Sequence, residues 1–113
     1  MEKIIQISGR DVRFKSSGAY LYKYKAQFGR DAIKDILKLK DMYDEETKAL
    51  ANIDALDLEV FFRLVWVLAK NADPEIGPPE IWLDEFEEFP LFDIVPEVMD
   101  MILSTISSTV KKK

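Results

Sequence analysis

The 113-residue chain contains no cysteine and no histidine. Without cysteine there is no disulfide framework, no thiolate metal site and no Cys nucleophile. Without histidine the commonest general base, the commonest transition-metal ligand and every Ser-His or Cys-His arrangement drop out as well. Only carboxylate or lysine chemistry is left to an enzyme, and the sequence nominates no catalytic, cofactor-binding or metal-binding residue. No internal repeat, low-complexity linker or phosphate-binding glycine-rich loop is visible. The N-terminus lacks the apolar region of about 7–15 residues that a signal peptide needs. The longest apolar run falls short of the roughly 18–20 residues that span a bilayer. These absences lead us to expect a soluble, cytosolic, non-catalytic protein.

What the chain does have is the stretch 58–69, LEVFFRLVWVLA, in which ten of twelve residues are apolar. Such a run predicts a helix buried on most sides. At about 100° per residue, Glu59, Arg63 and Lys70 fall within roughly 40° of one another and leave one narrow polar stripe. Glu59 and Arg63 stand in the favourable i, i+4 order for an ion pair. Trp66 lies beside that stripe, so part of its indole is expected near the surface.

The net charge of −5 is unevenly distributed. Residues 1–50 balance at +3, residues 51–110 at −11, and the terminal Lys111-Lys112-Lys113 returns +3. An acidic half disfavours nucleic-acid phosphate and suits a basic protein partner or a basic face on a sister subunit. Simple solubility is the other reading of the same acids.

Taken in order, residues 3–15 alternate around Ser8-Gly9-Arg10-Asp11 and predict a two-stranded hairpin. Ile5 and Ile7 share one face, as do Val12 and Phe14. Ser16 or Ser17 is placed to cap a helix over about 18–28, with Tyr20, Tyr24 and Phe28 on one face and Gly29 as its left-handed C-cap. We read that aromatic stripe as core. Asp31 caps the next helix, about 31–44, with Asp35 in its first turns and Met42-Tyr43 near its end. Residues 47–53 are read as a further helical turn or two. Asp54 or Asp57 caps the apolar helix, about 55–72. Prolines and glycine at 73–79 form a loop, and Pro79 opens a helix over about 79–89 that Pro90 stops. A last helix, about 93–108, has Pro96 in its first turn and Val95, Val98, Met99, Ile102, Leu103 and Ile106 on its apolar face. The expected fold is mainly α (α+β): one domain over 1–113, with an N-terminal hairpin packed on a bundle of about five helices.

Three stretches, VRFKSSGAYLYKYKAQFGRDAIKDILKL (12–39), FFRLVWVLAKNADPE (61–75) and IWLDEFEEFP (81–90), resemble the tail assembly chaperones of long-tailed phages and prophages of Gram-positive bacteria. Tyr24, the Phe28-Gly29-Arg30-Asp31 corner, Trp66, Ala69-Lys70 and Trp82-Leu83 carry most of the likeness. The resemblance implies a protein of the host bacterial cytoplasm that coats the tape measure protein during tail tube assembly and is not retained in the mature virion. Genes of that family often give a short product and a longer frameshift product that recruits tail tube protein. This chain would be the short one, and its terminal lysines fit an A-rich slippery stretch as well as a plain solubilising tail. A homo-oligomer is compatible with such a role, whereas nucleic acid and membrane are not expected partners.

The carboxylates at 84–88 lack the alternating ligands and central glycine of a calcium loop, and a solvated helix face is the plainer reading. As a partner-binding surface we nominate Trp66, Trp82, Asp84, Glu85, Phe86, Glu87, Glu88 and Phe89, aromatics for apolar contact and acids for selecting basic segments. Three rivals stand beside this reading. An acidic DNA-mimic inhibitor of a nucleic-acid enzyme would spread its acids over the exposed surface. A carboxylate–lysine enzyme would show a deep pocket with paired ionisable groups. A structural tail component would be found in purified particles.

Overall fold

The computed structural model describes residues 1–40, 43–44, 46–47, 49–50 and 57–110. The expected helix start at 55, the alternative cap Asp54 and the terminal lysines lie outside these residues. Among the described residues the fold is α+β: an antiparallel hairpin, a second two-residue strand pair and five helices.

Strands β1 (Glu2–Ile7) and β2 (Arg10–Lys15) pair antiparallel with Ile7 opposite Arg10. Both loop residues, Ser8 (φ 54°) and Gly9 (φ 78°), are left-handed, as the two-residue turn matching strand twist requires. The glycine was legible in the sequence, whereas a left-handed serine was not. Arg10 and Asp11, expected in the connection, belong to β2. The alternation holds, since Ile5, Ile7, Val12 and Phe14 are all buried.

Helix α1 (Ala19–Phe28) closes on Gly29 at φ 69°, whose N–H donates to the Lys25 carbonyl. Its start departs from expectation. Gly18 occupies the N-cap position without a side-chain bond, because Ser17 Oγ accepts from Asn71 and Ser16 Oγ donates to the Met1 carbonyl. Helix α2 (Ala32–Leu39) is capped by Asp31, which accepts from the N–H groups of Ile33 and Lys34. It ends before Tyr43, contrary to the predicted extent. Tyr43–Asp44 (β3) pairs with Ala49–Leu50 (β4), and the Asp44 carboxylate accepts from Glu46 N–H in an Asx turn. Amphipathic spacing put Tyr43 inside correctly, but local turn chemistry set the backbone.

Helix α3 (Leu58–Ala72) is capped by Asp57 and is the centre of the packing. Ten of its fifteen residues are buried. The inner face of β2 and helices α1, α2 and α4 rest against it. Glu59 and Arg63 form the expected pair at 3.7 Å.

Helix α4 (Pro79–Asp84) begins at Pro79 as expected but ends five residues early. Continuing it would put Asp84, Glu85, Glu87 and Glu88 at the negative end of the helix dipole, and Pro90 disfavours helical geometry at Phe89. Ser8 Oγ supplies the alternative, accepting from Glu88 N–H at 3.0 Å and donating to its carbonyl at 3.1 Å. Pro90 does not stop a helix. Its carbonyl accepts the first bonds of α5 (Leu91–Val110), from Asp93 and Ile94, so Pro96 falls inside the helix rather than in its first turn. Ile94 and Met101 are buried beside the expected Val95, Val98, Met99, Ile102 and Leu103, widening the apolar face of α5.

The central position of α3 sets a measurable contrast. Leu64→Ala removes a fully buried side chain and should lower the unfolding free energy by about 2–5 kcal/mol. Leu58→Ala, at a half-exposed position of the same helix, should change it by no more than about 0.5 kcal/mol. Urea titration followed by circular dichroism separates the two.

Candidate partner-binding surface

The segment 81–90 lies against the hairpin tip and divides its aromatic and acidic side chains. Trp82 and Phe86 pack edge to face at 5.1 Å, and Phe89 stands 5.8 Å from Phe86 and 5.6 Å from Phe62 of α3. Trp82 and Phe86 are buried and Phe89 is half-buried. Arg10 covers the cluster, its guanidinium 4.8 Å from the Phe86 ring centre and 3.1 Å from Glu85. Asp84, Glu85, Glu87 and Glu88 are exposed. Of the nominated residues, then, the acids lie on the surface, whereas Trp82 and Phe86 are enclosed by their own chain.

Trp66 does not join them. It is 4 % exposed, packed edge to face on Phe28 at 5.7 Å, and its Nε1–H donates to the Gly77 carbonyl at 2.8 Å. The stripe reading of α3 is corrected here, because the 73–79 loop and α1 cover Trp66. Lys70 holds that loop through the carbonyls of Pro74 (2.8 Å) and Ile76 (2.6 Å). A tryptophan beside a polar stripe therefore marks the seat of a loop.

Beside Trp66 the structure opens a groove that sequence reasoning missed. About 310 Å³ lies between α1 and α3, over Ala26, Trp66, Val67 and Pro74, with Lys23 and Lys70 at its rim. Tyr22, one turn before Ala26 on α1, is 76 % exposed. The signal was available, since Tyr22 falls outside the Tyr20–Tyr24–Phe28 stripe and has no internal neighbour to claim it. A second hollow, about 330 Å³, is basic and lined by Lys25, Arg30, Lys34 and Lys38 together with Asp31 and Asp35. Among the described residues no group of three or more acidic side chains is arranged to hold a metal ion. No described helix is long and apolar enough to cross a membrane.

Beneath the basic hollow lies a polar network. Asp35 is 2 % exposed and accepts two bonds from Arg30 at 2.8 Å and one from Tyr24 Oη at 2.6 Å. Arg63 Nε in turn donates to Tyr24 Oη at 3.3 Å. The Arg30 bonds hold the Asp35 carboxyl at about 2, below its ordinary 3.8, against the opposing effect of burial. Burial first, and the bond to Asp35 second, push the Tyr24 hydroxyl up to about 12. The network joins α1, α2 and α3. Sequence reasoning assigned Asp35 only to helix-dipole balance, because the bond from Tyr24 crosses from α1 and Arg63 of α3 joins the network only through Tyr24.

A depressed carboxyl pKa means that the folded state binds the proton less readily than the unfolded chain. The contribution of Asp35 is therefore complete above about pH 4 and is lost as pH falls through about 2. In Asp35→Asn, stability should be lower at neutral pH and should fall less steeply across that window than in the wild type. Parallel stability–pH curves for the two proteins would show that Asp35 carries no such linkage.

Comparison with protein-family models, with curated proteins and with solved structures finds no match to this chain.

Proposed function

We propose that the protein is a tail assembly chaperone of a phage or prophage, binding the tape measure protein of the same genome during tail tube assembly. The structural observation that supports this reading best is the groove between α1 and α3 over Ala26, Trp66, Val67 and Pro74, with the exposed Tyr22 one turn before Ala26 on α1. A chaperone for a long helical client needs an accessible apolar contact that is modest per subunit and is multiplied over many copies. The groove offers that contact, while Trp82 and Phe86 serve the chaperone's own core. The exposed acids Asp84, Glu87 and Glu88 complement basic stretches of the client, beside Glu85, which is paired with Arg10. In this role the protein acts in the host cytoplasm, is not an enzyme, and is absent from the finished virion. As the short product of a frameshifted gene it works beside a longer form that recruits tail tube protein.

The DNA-mimic alternative fares less well on the same surface. Asp31 and Asp57 cap helices, Asp35 is buried against Arg30, and Glu59, Glu85 and Glu97 are paired with basic side chains. Acids committed to structure in this way do not form a continuous mimic of a phosphate backbone.

The test is co-expression with the tape measure protein encoded nearby, followed by affinity co-purification. Tyr22→Ala combined with Ala26→Glu removes the exposed ring on α1 and puts a charge into the groove, both at exposed positions, and should reduce recovery of the client at least tenfold, with the circular dichroism spectrum unchanged. Full recovery by this folded variant rules out the groove as the client site. Absence of any complex with the wild type rules out the chaperone reading itself.

A further inference from the structure

The outer edge of β2 has open main-chain groups and a charge order that is self-complementary. A two-residue turn makes Ile7 and Arg10 a hydrogen-bonded pair, and such pairs alternate along an antiparallel ladder. Val12 and Phe14 therefore bond inward to β1, while the N–H and C=O of Asp11, Arg13 and Lys15 point away from it. Asn71 Nδ2 takes the Lys15 carbonyl at 3.0 Å. Among the described residues nothing bonds to the main chain of Asp11 or Arg13 along that edge. A hollow of about 240 Å³ runs beside it, lined by Asp11, Val12 and Arg13 on the strand and by Asp73 and Glu75 on the following loop. The loop is fastened to α3 by Lys70 and Trp66, and the hollow separates it from the strand edge.

Natural sheet edges commonly carry charges that repel a second copy. This edge does the reverse. We propose that β2 pairs with β2 of a second copy of this chain, antiparallel about a two-fold axis at Val12. In that register Asp11 of each copy lies opposite Arg13 of the other, so opposite charges meet at both ends of the contact. Shifting the axis to Asp11 sets Asp11 against Asp11, and shifting it to Arg13 sets Arg13 against Arg13 at the centre while bringing Asp11 opposite Lys15, so only the Val12 register has opposite charges and no like pair. The parity of the ladder agrees, because Asp11 and Arg13 are the residues whose main-chain groups are free to exchange bonds. Among the described residues Arg13 forms no ion pair, and Asp11 accepts only from Gln6 Nε2, at 3.0 Å. Pairing two hairpins this way makes one four-stranded sheet with the inner faces of both hairpins still on their helices.

A ladder of three residues falls short of the roughly 800 Å² per partner of a standard stable interface. The dimer is therefore reversible and concentration-dependent. This inference is independent of the client reading.

Sedimentation equilibrium of the full chain at low salt, from micromolar to millimolar concentration, tests it. The wild type should show a monomer–dimer equilibrium. Asp11→Arg and Arg13→Asp each place like charges together at both ends and should weaken the dimer at least tenfold. The double variant restores the complementarity and should bring the dissociation constant back to within about threefold of the wild type. Far-UV circular dichroism checks that each variant is folded. A wild type that stays monomeric, a dimer indifferent to the single reversals, or a double variant that does not recover would each overturn the proposal.

Discussion

Helix α3 is apolar around nearly its whole circumference, and no arrangement of this chain is stable unless that surface is covered. The order of the other elements follows from the requirement. The hairpin contributes an inner face of Ile5, Ile7, Val12 and Phe14, and α1 contributes Tyr20 and Tyr24. The 73–79 loop and the 85–90 segment cover what the helices leave open. A two-stranded hairpin is marginal alone. Here it is held because its apolar face has one place to go.

Apolar burial is non-directional, so it does not by itself decide how the covering elements are oriented. Two buried polar residues supply that direction. Asn71 at the end of α3 donates to the Lys15 carbonyl and to Ser17 Oγ, and accepts from Lys23 Nζ at 2.8 Å. It thereby fixes the end of β2, the β2–α1 connection and α1 against one another. Asp35 does the same for α1, α2 and α3 through Tyr24, Arg30 and Arg63. Buried polar groups without partners are costly. An arrangement that slid any of these helices by a turn would strand them, so the two residues act as registration marks for the apolar core.

The pattern of the sequence carried the elements but not these marks. Strand alternation, the Asp31 cap, the Gly29 terminus, the Glu59–Arg63 pair and Pro79 as a helix start are local properties, set by residues within a few positions of one another. They were legible for that reason. The early end of α4 depends on Ser8, eighty residues away in the chain, which takes both main-chain groups of Glu88. The turn at Tyr43 depends on a strand pair with Ala49–Leu50. Trp66 was misjudged because helical angles show which side chains share a stripe and not which loop will fold over them. The candidate surface was legible in half. The acids at 84–88 were placed outside correctly, while the apolar groove between α1 and α3 exists only once two helices and a loop have met.

That division has a consequence for recognition. Trp82, Phe86 and Phe89 sit directly under the acidic segment, so its carboxylates are mounted on a packed aromatic base rather than on a free loop. Ser8 and Arg10 fasten the same segment to the hairpin tip. Charges held this way lose less conformational freedom when a basic partner arrives than charges on an unanchored chain. Burying the aromatics therefore fixes where the negative charge stands, which in the proposed role would serve recognition of a basic client. In the proposed role, apolar contact and charge selection would thus be handled by different parts of the fold. The helices α1 and α3 present the first, and the segment following α4 presents the second.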